Sequence, residues 1–341
     1  MKKKIIFRAD GNTTTGLGHL YRLFALVEVF KDSYDYMYIT QSSSNTEVIP
    51  EDFPLTIIGQ EIKLSEEPNW LANNFDPEKH VIIADGYHFT SLYQKKIKEL
   101  GFSLVYIDDL AREHMYADIV INHSSSYKIS DFNHEKHTKF ALGTEYALLR
   151  PLFLKIAKEK RSITSINEVF ICFGGADKFN FSLKATKALL DVSQIEKIHI
   201  VLGAAYDDGQ INRLEQKFPT RIQIHRNLSE KDLLETMKLC DLAIAPTSTI
   251  LYELTCVKMV IISGYFVYNQ KSVYKWFNER GCFYGIDDFC DFDFNNLKDI
   301  IVKFTDVSLL KSYTDNQAKC IDGNQKQRFL QLINDLMSKV N

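Results

Sequence analysis

The side chains of this 341-residue chain that could do chemistry stand just after short apolar runs. The first set is Asp10-Gly11-Asn12-Thr13-Thr14-Thr15-Gly16-Leu17-Gly18-His19, with Arg22 three residues further on, directly after Ile5-Ile6-Phe7. An apolar strand entering a Gly-x-Gly turn and then a helical period puts His19 at a helix start. Free N–H groups and the positive end of the helix dipole welcome an anion there. The same field disfavours imidazolium and favours neutral His19, the form that accepts a proton. The spacing is not the dinucleotide-binding G-x-G-x-x-G, because Tyr21 holds the last glycine's place. The Gly-Lys-Ser/Thr ending of a P-loop is also missing, which disfavours a dinucleotide or ATP site. Alone, the motif reads equally well as a glycine turn with a polar helix start.

Six more sets follow apolar runs in the same way. Asp85-Gly86-Tyr87-His88 suits sugar hydroxyls or the orientation of a base, although an Asp-Gly turn explains it as well. Asp108-Asp109 can orient a substrate or a loop; no acidic cluster with metal-ligand spacing accompanies it, so no metal is expected. Asn122-His123 ends a third run. Phe173-Gly174-Gly175-Ala176-Asp177 lets backbone approach a ligand closely, or is a plain strand-to-helix turn. Pro246-Thr247-Ser248-Thr249, with Glu253 one turn along, offers hydroxyls and N–H groups for a diphosphate and a carboxylate for a ribose. A Ser/Thr cap with an acidic first turn is its ordinary reading. Tyr268-Asn269-Gln270 follows the 259–263 run; its amides match a base or an acetamido group, or merely form a loop.

These sets need elements to position them. Strand-length apolar runs at 4–8, 36–40, 55–58, 81–84, 103–107 and 119–121 have helical periods such as 19–31 and 91–100 between them. A second series runs through 168–173, 197–202, 222–224, 242–245 and 259–263, with helical segments at 180–192, 209–217, 230–239, 249–257 and 270–280. Such alternation predicts an α/β protein of two doubly wound, Rossmann-like domains, 1–155 and 156–341. Arg150-Pro151 and the charged stretch from Lys155 to Arg161 mark the boundary. From Asn295 on, two helices are expected, the last, about 324–340, reaching back across the domains. Ligands in open α/β sheets sit outside the carboxyl ends of the strands. The recurrence of polar sets at those ends therefore points to a cleft to which both domains contribute.

Composition narrows the partners. Hydrophobic residues make up 45% and charged residues 25%, ample for two cores. A net charge of −3 gives no drive toward nucleic acid or an anionic membrane. Arg8 and Asp10 interrupt the apolar run behind the basic start, so no signal peptide or membrane insertion is expected. Six cysteines, none in a C-x-x-C pair, read as free thiols, without a zinc or redox motif, in a cytoplasmic protein.

Together the motifs resemble the UDP-2,4-diacetamido-2,4,6-trideoxy-β-L-altropyranose hydrolase family of pseudaminic acid biosynthesis, also known as the spore-coat polysaccharide hydrolase group. The resemblance runs from Phe7-Arg8-Ala9-Asp10 and Gly16-x-Gly18-His19-x-x-Arg22 through Asp85-Gly86-Tyr87, Asp108-Asp109 and Asn122. It continues through Gly143-x-x-Tyr146-Ala147-Leu148-Leu149-Arg150-Pro151, the glycine pair, Ser248 to Glu253, Asn269-Gln270, and Asp322-Gly323 with Arg328. It implies a GT-B-like, metal- and cofactor-free enzyme of polysaccharide precursor synthesis, in which water attacks the anomeric carbon and UDP leaves. His19 would be the base, with Tyr87 beside it. Asp10, Gly16, Gly18, Arg22, Asp85, Asn122, Asn269 and Gln270 would line the sugar. Gly174, Gly175, Thr247, Ser248 and Thr249 would hold the diphosphate, and Glu253 the ribose. Pro246-Thr247, Lys178-Phe179, Phe266 and Tyr268 depart from the family's pattern and leave room for a related sugar. The partners implied are the UDP-sugar and other enzymes of the sugar pathway. Rival readings are a GT-B glycosyltransferase, a non-catalytic nucleotide-sugar-binding protein and, without specific support, a UDP-sugar epimerase.

Overall fold

The computed structural model describes residues 4–12, 16–124, 126–174, 177–203, 206 and 209–338. The chain forms two compact units, Met1–Pro151 with Asn324–Asn341, and Leu152–Gly323. The first contains β1 (Lys4–Ala9), α1 (Gly18–Phe30), β2 (Tyr36–Gln41), β3 (Leu55–Ile58), α2 (Glu67–Asn74), β4 (His80–Asp85), α3 (Ser91–Glu99), β5 (Ser103–Ile107), β6 (His114–Met115), β7 (Ile119–Asn122), β8 (Asn133–His134) and β9 (Lys139–Leu142). After α4 (Pro151–Ile156), the second contains β10 (Glu168–Ile171), α5 (Phe181–Leu190), β11 (Lys197–Leu202), α6 (Gly209–Lys217), β12 (Ile222–Arg226), α7 (Glu230–Leu239), β13 (Leu242–Pro246), α8 (Thr249–Val257), β14 (Val260–Tyr265), α9 (Gln270–Glu279), β15 (Tyr284–Asp288), α10 (Leu297–Lys303) and α11 (Val307–Cys320). The last helix, α12 (Gln325–Ser338), belongs to the first unit.

Both main sheets are parallel throughout. The first has the order β3-β2-β1-β4-β5-β7-β9 and the second β12-β11-β10-β13-β14-β15, while β6 and β8 pair separately. Strands covered on both faces read as unbroken apolar runs, and alternation sorts their residues between the faces. Ile5, Phe7, Val81, Ile83 and Val105 pack under α1 and α12. Ile6, Ile82, Ala84, Leu104 and Tyr106 form the other layer with Phe89, Tyr93 and Leu71 of the α2–α3 side. In the second unit Val169, Ile171, Ile198, Ile200, Leu242 and Ile244 share one core with α5 and α10.

The division of the chain departs from 1–155 and 156–341. Phe153, Leu154 and Ala157 are buried, and the Lys258 ammonium donates to the carbonyls of Ala157 at 2.6 Å and Glu159 at 2.7 Å, which ties α4 to the second unit. Phe329 and Ile333 of α12 are buried in the first unit's core, so its apolar stripe carries the chain's last helix there. The tail holds three helices instead of two, because Asp306 accepts from the N–H groups of Ser308 and Leu309 and starts α11 afresh. Four short strands, β6, β8, β9 and β15, are also absent from the sequence expectation; none has a long apolar run to mark it.

Arg8 interrupts β1 without reaching solvent. Its guanidinium donates to Glu67 Oε1 and Oε2 at 2.8 Å each, and to Asp10 Oδ1 at 2.6 Å and Oδ2 at 2.8 Å. Tyr93 also donates to Glu67, at 2.6 Å. Glu67→Ala would leave that guanidinium short of a partner in the interior. The expected cost is about 3–5 kcal/mol, read as a lower urea midpoint; an unchanged midpoint would remove this network from the stabilising interactions.

Candidate active-site residues in each unit

In the first unit, strand order reverses between β1 and β4, and ligands of open α/β sheets bind outside the carboxyl ends at such a point. Asp85 ends β4 opposite Ala9 of β1, and its side chain is fully buried. His19 lies in the first turn of α1, with Nδ1 2.8 Å from Asp85 Oδ1. A carboxylate only accepts, so this contact calls for a hydrogen on Nδ1, while Arg22 Nη2, which only donates, lies 3.0 Å from the same nitrogen. Asp85 and Arg22 thereby fix the orientation of the ring through Nδ1 and leave Nε2 outside these contacts.

Arg22 follows His19 by three residues and shares its helix face. It donates from Nε and Nη2 to the two oxygens of Asp85 at 2.8 and 2.6 Å, and from Nη1 to both oxygens of Asp109 at 2.6 and 2.8 Å. Burial opposes the charge of this guanidinium, but Asp85 and Asp109 outweigh it and raise its pKa. Burial likewise opposes ionisation of Asp109, and Arg22 prevails, bringing that carboxyl to about 2. Tyr87 donates to Asp109 Oδ2 at 3.1 Å and meets the His19 ring edge-on, centroids 4.7 Å apart. Burial, helped by Asp109, raises the Tyr87 phenol to about 12, so it keeps its proton at neutral pH.

The neighbouring acids are not equivalent. Asp108 accepts from the N–H groups of Leu110 and Ala111 and shapes the loop, so the two do not form a paired-carboxylate metal site. Gly16 has φ +84° and donates its N–H to Asn12 O at 2.8 Å, a conformation open to glycine. Gly18 begins α1. Asp10 is taken up by Arg8, the Gln41 N–H at 2.7 Å, Thr40 and His88, so it organises the loop more directly than it could contact a ligand. Asn122 accepts from the Ser124 N–H, and its buried Nδ2 has no partner among the described residues, leaving a donor for a ligand.

His123 adds a group that the sequence reading passed over in favour of Asn122. Burial and the nearby Arg22 charge pull its pKa down to about 4, against the pull of Asp109 and Asp85, so the His123 imidazole stays neutral at neutral pH. The signal was available: like Asn122, it follows an apolar strand directly.

In the second unit, order reverses between β10 and β13, and the two expected phosphate loops follow those strands. Gly174 has φ +83°, while Gly175 lies outside the described residues. The glycine loop's helix, α5, is already capped: Asp177 accepts from the N–H groups of Phe181 and Ser182 at 2.9 and 2.8 Å. At α8 the N-cap Ser248 makes no side-chain cap bond. The first N–H groups of a helix, here Thr249 and Ile250, lack intrahelical acceptors. Thr247 is buried, with its N–H on Gly264 O and its hydroxyl placed between Gly264 O and Gln270 O, so it holds the loop. Glu253 is buried on α8 near Cys172, whose thiol burial pushes up to about 11. Gln270 accepts from the Phe266 N–H at 3.0 Å, whereas Asn269 is exposed at the start of α9.

No family model matches the chain. It is 27% identical over 262 residues to an uncharacterized protein of Methanocaldococcus jannaschii, a match covering 73% of this chain and 53% of that protein, about half the relative's length. It is 27% identical over 287 residues to the UDP-2,4-diacetamido-2,4,6-trideoxy-beta-L-altropyranose hydrolase of Campylobacter jejuni, covering 82% of this chain and 97% of that protein. The resemblance carried by the motifs thus extends to direct comparison. In structure the chain is similar to MurG of Acinetobacter baumannii, with TM-score 0.68 and 12% identity over 98% of this chain and 99% of that one. It is also similar to Anabaena HepE in complex with UDP, with TM-score 0.64 and 14% identity over 97% and 100% of the two chains. The fold is the GT-B fold, with two Rossmann-like domains, as the sequence led one to expect. Among the described residues no helix is long and apolar enough to cross a membrane.

The His123 shift carries a stability consequence. Between its ordinary value of 6.5 and its folded value of about 4, the unfolded chain binds a proton that the folded chain refuses. Stability therefore falls as pH drops through that window. His123→Gln should lose less unfolding free energy than the parent across it in urea titrations; equal losses would contradict the buried neutral ring.

Proposed function

We propose that the protein hydrolyses a UDP-linked diacetamido-trideoxy sugar at the anomeric C–O bond, releasing UDP and the free sugar for nonulosonic acid synthesis. The observation that carries this reading is the His19–Asp85 pair backed by Arg22 and Asp109. His19 Nε2 takes a proton from water, the water oxygen bonds to the anomeric carbon, and the bond to the UDP phosphate oxygen breaks. The proton remains on the imidazolium, steadied by Asp85, and UDP departs as an anion. UDP is a good leaving group once its charge is met by preorganised donors, and the N–H groups of Thr249 and Ile250 supply these.

The roles divide between the units. In the first, Tyr87 donates near the base, Asn122 Nδ2 binds the sugar, and Arg22, Asp10, Gly16 and Gly18 hold the loop and the base in place. In the second, Gly174, Gly175 and Ser248 surround the diphosphate, Thr247 and Gln270 brace the loop, Asn269 meets the acetamido side, and Glu253 meets the ribose. The 27% identity to the Campylobacter jejuni hydrolase supports water as the acceptor. A second reading, transfer to an acceptor hydroxyl, draws on the glycosyltransferases that share the fold, such as calicheamicin glycosyltransferase CalG4, with TM-score 0.66. The same base would serve it.

Incubation with a UDP-diacetamido sugar in buffer alone should yield UDP and reducing sugar; turnover only with an added acceptor would favour transfer. His19→Ala should lower kcat about 10²–10⁴-fold while UDP affinity is kept. Undiminished turnover in His19→Ala would sink the assignment of the base. Thr249→Pro tests the phosphate cradle separately. Proline is tolerated at the first helical position, and the extended Ser248 before it is compatible with proline. The variant loses one N–H and should bind UDP about tenfold or more weakly by calorimetry; unchanged affinity would move the diphosphate elsewhere.

A further inference from the structure

In the second unit's sheet four side chains from separate elements converge, three of them, Glu168, His199 and Cys240, toward its amino end, away from the edge that carries Gly174 and Thr249. Glu168 opens β10, His199 lies in β11, His225 in β12, and Cys240 stands two residues before β13. The strands are adjacent, and the register pairs Glu168 with Lys197, His199 with Phe170, and His225 with Val201, so Glu168, His199 and His225 share one face of the sheet. One donor atom each from Glu168, His199 and Cys240 lie within 4.8 Å of one another. His199 Nε2 is 2.9 Å from Glu168 Oε2, and its Nδ1 is 3.0 Å from His225 Nε2, with the two rings stacked at 12°.

We propose that Glu168, His199 and Cys240 bind one zinc ion, with water as the fourth ligand and His225 as the support of the ligating imidazole. Oxygen, nitrogen and sulfur donors suit zinc, whose bonds of about 2.0–2.3 Å set tetrahedral neighbours roughly 3.5 Å apart, a small adjustment from the present spacing. Without metal, the carboxylate requires a hydrogen on His199 Nε2, and His199 Nδ1 then accepts from His225. Zinc on Nε2 reverses the second bond: Nδ1–H donates to His225, which orients the ring. Both rings change tautomer and keep their proton count.

One proton is released, from the Cys240 thiol, which burial otherwise keeps protonated. Burial also lowers both histidines, leaving them neutral and ready to ligate. The charges then close, with zinc dication against one carboxylate and one thiolate. That balance suits a place where His199 and Cys240 are buried, while Glu168, with a third of its side chain exposed, gives an entry path. The frame is braced: Asp241 accepts from the Glu168 N–H at 3.1 Å, and Arg161 donates to the Cys240 carbonyl at 2.5 Å. Its place opposite the ligand-binding edge makes the ion structural, so the inference does not depend on the proposed reaction.

The test takes the full chain, stripped with chelator and titrated with zinc and, separately, cobalt. One zinc per chain, a raised Tm and release of one proton per ion are expected. Cobalt should give a near-ultraviolet thiolate charge-transfer band that Cys240→Ser abolishes and the exposed Cys290→Ser preserves. Glu168→Gln should weaken zinc at least tenfold. No stoichiometric zinc, or a cobalt band absent from the parent or persisting in Cys240→Ser, would overturn the proposal. Should Cys240→Ser fail to fold, the parent's cobalt spectrum together with zinc binding by Glu168→Gln decides.

Discussion

The first unit's candidate site depends on the Arg22 guanidinium, which sits between two carboxylates and satisfies both. It needs α1 to present His19 and Arg22 on one face, β4 to deliver Asp85, and the loop after β5 to deliver Asp109. A buried cation is tolerable only with such complete pairing. In return it holds Asp85 in place against His19 Nδ1, and it helps keep His123 neutral by raising the cost of a second nearby positive charge. Tyr87 is held through Asp109 by the same clamp. His19, Arg22 and Tyr87 are each oriented through contacts with one another or with the same two carboxylates.

Arg8 shows the same principle one layer below. Its charge lies within β1, beside apolar neighbours, and Glu67 and Asp10 meet it with paired hydrogen bonds. Asp10 is thereby drawn away from ligand contact and toward Gln41 and Thr40, so the loop leading to His19 is anchored to β2. The second unit makes its choice between two helix starts in a similar way. Asp177 supplies negative charge to the start of α5, whereas the start of α8 receives no side-chain cap from Ser248.

Much of this was legible in the sequence, because parallel strands buried on both faces write themselves as apolar runs and the polar sets follow them directly. The two doubly wound domains, the strand ends bearing His19, Asp85, Asp109, Asn122 and Thr249, and the helix start, expected at His19 and found at Gly18, all rest on such local signals. Residue spacing also put His19 and Arg22 on one helix face. These features depend on neighbours within a turn or a strand, and the physics that sets them acts at that range.

Tertiary structure alone decided which polar groups face one another. Asp85 and Asp109 are far apart in sequence, and only adjacent strands bring both to Arg22. Thr247 and Asp10 look like ligand contacts from their places after strands, yet the carbonyls of Gly264 and Gln270 engage Thr247, and Thr40 and the Gln41 N–H engage Asp10 together with neighbouring Arg8. Glu168, His199, His225 and Cys240 have no spacing that a motif could express; three strands and the turn into a fourth juxtapose them. The sequence suggested that the last helix reaches back, but its membership of the first unit was decided by a core able to take Phe329 and Ile333. Periodicity reveals that a face is apolar or that a strand ends in a polar group, but the partner is set by long-range packing, which no local pattern encodes.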